Sequence, residues 1–153
     1  MIKKFFTCII KKLLGNFMKK VKIYTDGGAR GNPGPSACGV VILDENDKLL
    51  KLDGKFLGHA TNNQAEYKGV LVALKMASIM NVESIEFYLD SELMVKQLNG
   101  EYRVKSSNLK PIKKDIDTLL SNFKEVTFTH VRRKYNTHAD KIVNIVLDAL
   151  HRR

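Results

Sequence analysis

The 153-residue chain has no tryptophan, only two cysteines and three prolines, and 16 acidic residues against 26 lysines and arginines. Cys8 and Cys38 are too few for a disulfide framework, which argues against a small cross-linked secreted domain and for a reducing, cytoplasmic setting. No internal repeat or low-complexity segment interrupts the chain. With 44% hydrophobic and 27% charged residues it belongs among globular proteins, at a length suited to one domain. The shortage of acids leaves a formal charge of +10 and a sequence pI near 9.6. Such an excess favours polyanionic partners, either nucleic acid or an anionic membrane face.

The first 17 residues, "MIKKFFTCIIKKLLGNF", differ from the rest, with four lysines and no acid. Ile2, Phe5, Phe6, Ile9, Ile10, Leu13 and Leu14 recur at helical spacing opposite Lys3, Lys4, Lys11 and Lys12. The segment is too short to span a bilayer and lacks the cleavage site of a secretory signal. It reads as a basic amphipathic extension that contacts a membrane or a partner, or as a mis-assigned start, since "MKKVKIYTD" from Met18 is an ordinary lead-in to a first strand. Residues 18–153 are then expected to form the folded domain.

"VKIYTD" and "ACGVVILDENDKLLKLDGKFLG" predict three strands, with turns at the Gly/Pro cluster between them and at "DEND". "TNNQAEYKGVLVALKMASIMN" predicts a helix capped by Thr61 or Asn62. "SIEFYLD" is an almost unbroken apolar strand, expected to be covered on both faces. A short helix ends at Asn99-Gly100, another begins near Pro111, "EVTFTHVRR" is a fifth strand, and "NTHADKIVNIVLDALHRR" is a closing helix. The order implies an α/β fold, a mixed sheet covered by helices.

Asp26 and Asp90 each end a strand, and the carboxyl edge of an α/β sheet is where ligands bind. Either could instead serve only as a turn or cap residue, Asp90 in "LDSEL" especially. Glu66 precedes Val70 and Ala73 on the apolar face of its helix, and Asp140 stands likewise to Val143 and Leu147. An acid on a core-facing stripe is costly unless it is hydrogen-bonded or neutralised by a cation. Four such acids could meet at one point above the sheet. Clustered carboxylates repel, and a pair of Mg²⁺ ions about 3.5–4 Å apart resolves that with oxygen ligands, which suits phosphodiester hydrolysis. Glycoside hydrolysis accounts for two acids but not four. Zinc is disfavoured, because the cysteines lie far apart and no histidine pair has ligand spacing.

"YTDGGARGNPGPSACGVV", "TNNQAEYKGVLVAL", "YLDSELMVKQLNGEYRVKSSNLKP" and "HVRRKYNTHADKIVN" resemble, in order, the motif blocks of the type 1 ribonuclease H family. The resemblance runs from about Met18 through the last helix. It implies a five-stranded mixed sheet, three antiparallel strands then two parallel, flanked by helices. It further implies an endonuclease that cuts the RNA strand of RNA–DNA hybrids with two Mg²⁺, or Mn²⁺ in substitution, leaving 5′-phosphate and 3′-hydroxyl ends. Asp26, Glu66, Asp90 and Asp140 match the family's catalytic, metal-binding acids. Gly27 and Gly28 match the loop that approaches the hybrid's minor groove. Asn32, Asn62, Asn63 and Gln64 match its polar strand contacts, and Thr61 a DNA-phosphate contact. Capping and turn formation are the plainer roles of the same residues.

Many members carry a basic, Trp-containing protrusion after the helix that follows Asp90. Here "NGEYRVKSSNLKP" is short, so the chain resembles the compact form. Arg103, Lys105, Lys110, Lys113 and Lys114 then form either a phosphate track or a solvated face. For the auxiliary role near the last acid, Arg133 in "HVRR" fits other compact members better than His138 does. A monomer acting on RNA–DNA hybrid is expected. The rivals are a nuclease of the same fold with another substrate and a non-catalytic hybrid-binding module, and the presence of all four acids disfavours the module.

Overall fold

A computed structural model describes Ile2 and residues 18–151; the helical reading of residues 1–17 otherwise lies outside the described residues. Five strands form one sheet in the order β3-β2-β1-β4-β5. Strands β1 (Met18–Ala29), β2 (Gly34–Leu43) and β3 (Leu49–Ala60) are antiparallel. Strands β4 (Val82–Leu89) and β5 (Glu125–His130) run parallel to β1. Among residues 18–151 the helices are α1 (Asn62–Ile79), α2 (Glu92–Leu98), α3 (Lys110–Leu120) and α4 (Thr137–His151). A 3₁₀ turn at Arg133–Tyr135 precedes α4. No described helix is long and apolar enough to cross a membrane.

Alternation along β1 sends Val21, Ile23 and Thr25 into the core under α1. There they meet Val40 and Ile42 of β2, Ile85, Phe87 and Leu89 of β4, and Val70, Ala73, Leu74 and Ala77 of α1. Each fully buried aliphatic side chain contributes about 1.5–3 kcal/mol. The opposite face is covered by α4, whose Ala139, Ile142, Val143 and Leu147 pack on Ala37 and Val41.

Because α4 lies over the first three strands only, β4 is not covered on both faces as its apolar run suggests. Glu86 and Tyr88 point to the half-exposed side, where Lys20 pairs with Glu86 at 3.1 Å and Tyr24 stacks on Tyr88 with centroids 5.0 Å apart.

Thr61 caps α1 through a reciprocal box: its hydroxyl accepts from Gln64 N at 3.2 Å, and Gln64 Oε1 accepts from Thr61 N at 2.9 Å. Helix α2 is capped by Ser91 rather than Asp90, with Met94 N donating to Ser91 Oγ at 3.3 Å. That leaves the Asp90 carboxylate free for other work. Pro111 sits in the first turn of α3. Residues 99–109 connect α2 to α3 without a further helix, so the chain has the compact form.

Candidate active site

Strands β1 and β4 are parallel neighbours, so Asp26, near the end of β1, and Asp90, just beyond β4, share one edge of the sheet. Two close backbone approaches bring the helical acids to them. A Cβ placed on Gly27 would lie 2.3 Å from the Ala65 carbonyl carbon and 2.4 Å from Glu66 N. Only glycine lets β1 sit this close beneath α1. Gly39, opposite Asp26 in β2, plays the same part for α4: its Cβ would lie 2.4 Å from the Ala139 carbonyl oxygen, one residue before Asp140.

Asp26, Glu66 and Asp90 each offer an oxygen within 4.8 Å of the others. Burial, then the neighbouring Asp90 charge, pushes the Asp26 carboxyl up to about 8, even though Gly27 N donates to its Oδ1 at 2.9 Å. Burial and Asp90 likewise push Glu66 up to about 7. Near neutrality the cluster therefore retains protons that a divalent cation would displace. This donor set is all carboxylate, which suits Mg²⁺ or Mn²⁺. Asp140 stands apart from the trio on the same cavity wall, its Oδ1 accepting from Arg133 Nη2 at 3.1 Å.

The four acids line a cavity of about 640 Å³ together with Gly27, Gly28, Asn62, Asn63 and Arg133. His138 lines a separate cavity beside Tyr24, Leu43 and Tyr135. Asn62 and Asn32 fasten the glycine-rich loop to α1: Ala29 N donates to Asn62 Oδ1 at 2.8 Å, and Asn62 N donates to Asn32 Oδ1 at 3.1 Å. Thr61 and Gln64 are engaged in the cap, whereas Asn63 is exposed at the cavity. Arg103, Lys110, Lys113 and Lys114 line a second cavity of about 520 Å³ below α2 and α3; Lys105 is not among its lining residues.

Asn136 stands within "HVRRKYNTHADKIVN", where the sequence pattern gives it no role at the site. Asn136 is 1% exposed, and its side-chain amide donates to Thr25 O at 2.8 Å and to Asp90 Oδ2 at 3.4 Å. It joins the end of β1 to the acid that ends β4. Its backbone carbonyl also accepts from Asp140 N at 3.2 Å, so one residue touches the settings of two acids.

A reverse transcriptase-like family model matches residues 24–146. The chain is 38% identical over 129 residues to ribonuclease HI of Halobacterium salinarum, covering 84% of this chain and 65% of that protein. It is 32% identical over 141 residues to ribonuclease H of Ehrlichia chaffeensis, covering 82% of this chain and 92% of the relative. The chain belongs to the type 1 ribonuclease H family. The solved RNase H1 structure from Halobacterium salinarum superposes on this chain with a TM-score of 0.83, covering 85% of this chain and 98% of that one. LC11-RNase H1 in complex with an RNA/DNA hybrid superposes with a TM-score of 0.81 at 38% identity, covering 85% of this chain and 98% of its own.

Proposed function

We propose that this chain is an endonuclease that hydrolyses the RNA strand of RNA–DNA hybrids, leaving 5′-phosphate and 3′-hydroxyl ends. The observation that carries the reading is the trio of Asp26, Glu66 and Asp90 oxygens within 4.8 Å of one another, two of them strongly disfavoured as bare anions. A relative of 38% identity, solved in complex with an RNA/DNA hybrid, supports the substrate class.

Asp26, Glu66, Asp90 and Asp140 would hold two Mg²⁺, or Mn²⁺ in their place, which when bound lower the pKa of the attacking water and neutralise the scissile phosphate. The remaining work falls to the chain. Asp26 and Asp90, fixed at adjacent strand ends, hold charge at a set position without reorganising during the reaction. Gly28, whose added Cβ would meet only Val143 at 3.4 Å, leaves β1 bare beside the site, so backbone can approach a shallow minor groove where RNA shows its 2′-hydroxyls. Gly27 contributes by seating α1, and Asn63 is free to contact a strand. Asn32, Asn62, Thr61 and Gln64 hold the loop and the α1 terminus in the shape that substrate meets.

Arg133, whose side chain is 80% exposed with its guanidinium on Asp140, would pass between that carboxylate and a departing phosphate. The lysines and Arg103 of the second cavity would steer the backbone of the hybrid. We assign this activity to residues 18–153 acting as a cytoplasmic monomer, with residues 1–17 as an extension outside the chemistry.

The test is cleavage of an end-labelled RNA–DNA hybrid in Mg²⁺ beside matched single-stranded RNA and duplex RNA. Internal cuts in the RNA of the hybrid, bearing 5′-phosphates, are expected. Equal cutting of single-stranded RNA, or binding of the hybrid without cutting in either metal, contradicts the reading.

A further inference from the structure

The cleft that holds the acids is lined along α4 by Val143, Asn144 and Leu147 and across from it by Gly28, Ala29 and Arg30 at the end of β1, with Gly28 against Val143. Asp148 lies eight residues beyond Asp140 on this helix, about two turns and roughly 12 Å of rise. Each of these carboxylates holds an arginine: Asp140 accepts from Arg133, and Asp148 Oδ1 accepts from Arg30 Nη2. Arg30 and Arg133 are the two cations among the described residues that line the cleft, one at each end of this stretch of α4.

The Arg30–Asp148 pair is not needed to shape its loop. Arg30 N already donates to Pro35 O at 2.9 Å, and the Ala29–Asn62 and Asn62–Asn32 bonds tie the same loop to α1. The pair is partly exposed, with side chains 35% and 57% accessible, and such pairs add little to stability. What the pair does is hold a guanidinium on the wall of the cleft that the four acids also line. Guanidinium binds phosphate in a two-pronged geometry that a single carboxylate oxygen uses only in part.

We propose that Arg30 contacts a phosphodiester of the nucleic-acid backbone away from the scissile bond, and that Asp148 is its built-in competitor. This rests on the reading of the cleft as a nucleic-acid site. At about 3.4 Å of rise per nucleotide, the contact lies on the order of three nucleotides from the site of cutting. Asp148 occupies Arg30 in the free protein and yields it to a phosphate that reaches far enough along α4. Hybrids that end short of Arg30 forgo the exchange, so Arg30 sets a minimum length for tight binding.

The test is binding of a fluorescent RNA–DNA hybrid in chelator over a range of NaCl, for the wild type, Arg30→Ala, Arg30→Lys, Asp148→Asn and the Arg30→Ala/Asp148→Asn double variant. Thermal melting confirms that each is folded. Arg30→Ala is expected to weaken binding about tenfold and to reduce the salt slope by about one. Arg30→Lys keeps the slope with intermediate affinity. Asp148→Asn tightens binding two- to fivefold, on the order expected when one carboxylate stops competing for a guanidinium, and this gain disappears in the Arg30→Ala background. Equal weakening by Arg30→Ala and Asp148→Asn would make the pair a structural latch and overturn the proposal, as would an unchanged salt slope in Arg30→Ala. Because binding is read without cleavage, a wild type that binds hybrid but never cuts it contradicts the hydrolytic reading alone, and the slopes still decide Arg30.

Discussion

The side-chain amide of Asn136 lies 2.8 Å from the Thr25 carbonyl and 3.4 Å from Asp90 Oδ2, bridging two strand ends from a position buried to 1% exposure. Asn136→Ala would leave the Thr25 carbonyl without this donor and Asp90 without its lateral support. A loss of about 1–3 kcal/mol in stability is expected, with Mg²⁺ affinity lower by roughly 10–100-fold. Asn136→Asp should be worse in chelator, because it sets another carboxylate against Asp90. Thermal melting and metal titration of both variants measure the two effects separately; a stable Asn136→Ala protein with unchanged metal affinity would remove the residue from the site.

Gly27 has no room for a methyl group, since its Cβ would sit 2.3 Å from the backbone of Ala65. Gly27→Ala must push α1 away from β1 and so separate Glu66 from Asp26. Backbone cannot yield as a flexible side chain does, so the cost should reach or exceed the ~1–3 kcal/mol of ordinary overpacking. Gly28→Ala, whose nearest contact is the Val143 methyl at 3.4 Å, should fold nearly as well as the wild type. A melting comparison of the two tests whether the glycines have different tasks.

The raised carboxyls make the metal-free protein pH-sensitive with a definite sign. Asp26 has a folded value of about 8 and Glu66 of about 7, against unfolded values near 4. The folded state therefore binds more protons than the unfolded one. Stability in chelator is greatest below about pH 4 as far as these groups are concerned, and declines as the pH rises through 7 and 8. Asp26→Asn removes one charge from the cluster, so it should raise the melting temperature in chelator at pH 8 by several degrees and flatten the decline. Saturating Mg²⁺ should raise the wild type but not this variant to the same degree. A wild-type melting temperature that rises from pH 5 to pH 8 in chelator would contradict the assignment.

Arg133 lines the acidic cavity, whereas His138 faces another. Arg133→Ala should lower kcat on the order of tenfold, the value of one charge-assisted hydrogen bond, with little change in melting because the side chain is exposed. His138→Ala should stay within about twofold of the wild type. Steady-state kinetics on a hybrid substrate decides between them; the reverse ranking would move the auxiliary role to His138.

The acids were legible because each breaks a local rule: Asp26 and Asp90 end apolar strands, and Glu66 and Asp140 interrupt apolar helical stripes. The strand and helix order was legible for the same reason of periodicity. Asn136 was not, since an asparagine before a helix is an ordinary cap, and nothing local says that its amide reaches Thr25, 111 residues away. Gly27 sits in a loop-like Gly/Pro stretch, yet the space it leaves is filled by α1, a tertiary fact without a local signal. The open face of β4 was hidden likewise, because it depends on how far α4 extends across the sheet.

The most direct measurement is cleavage of a labelled RNA–DNA hybrid as Mg²⁺ is titrated, for the wild type and Asp26→Asn. The account predicts metal-dependent cutting of the RNA strand by the wild type and a loss of at least about a hundredfold in the variant, in keeping with removal of a charge-positioning group. Metal-independent cutting, or an Asp26→Asn protein as active as the wild type, would contradict it.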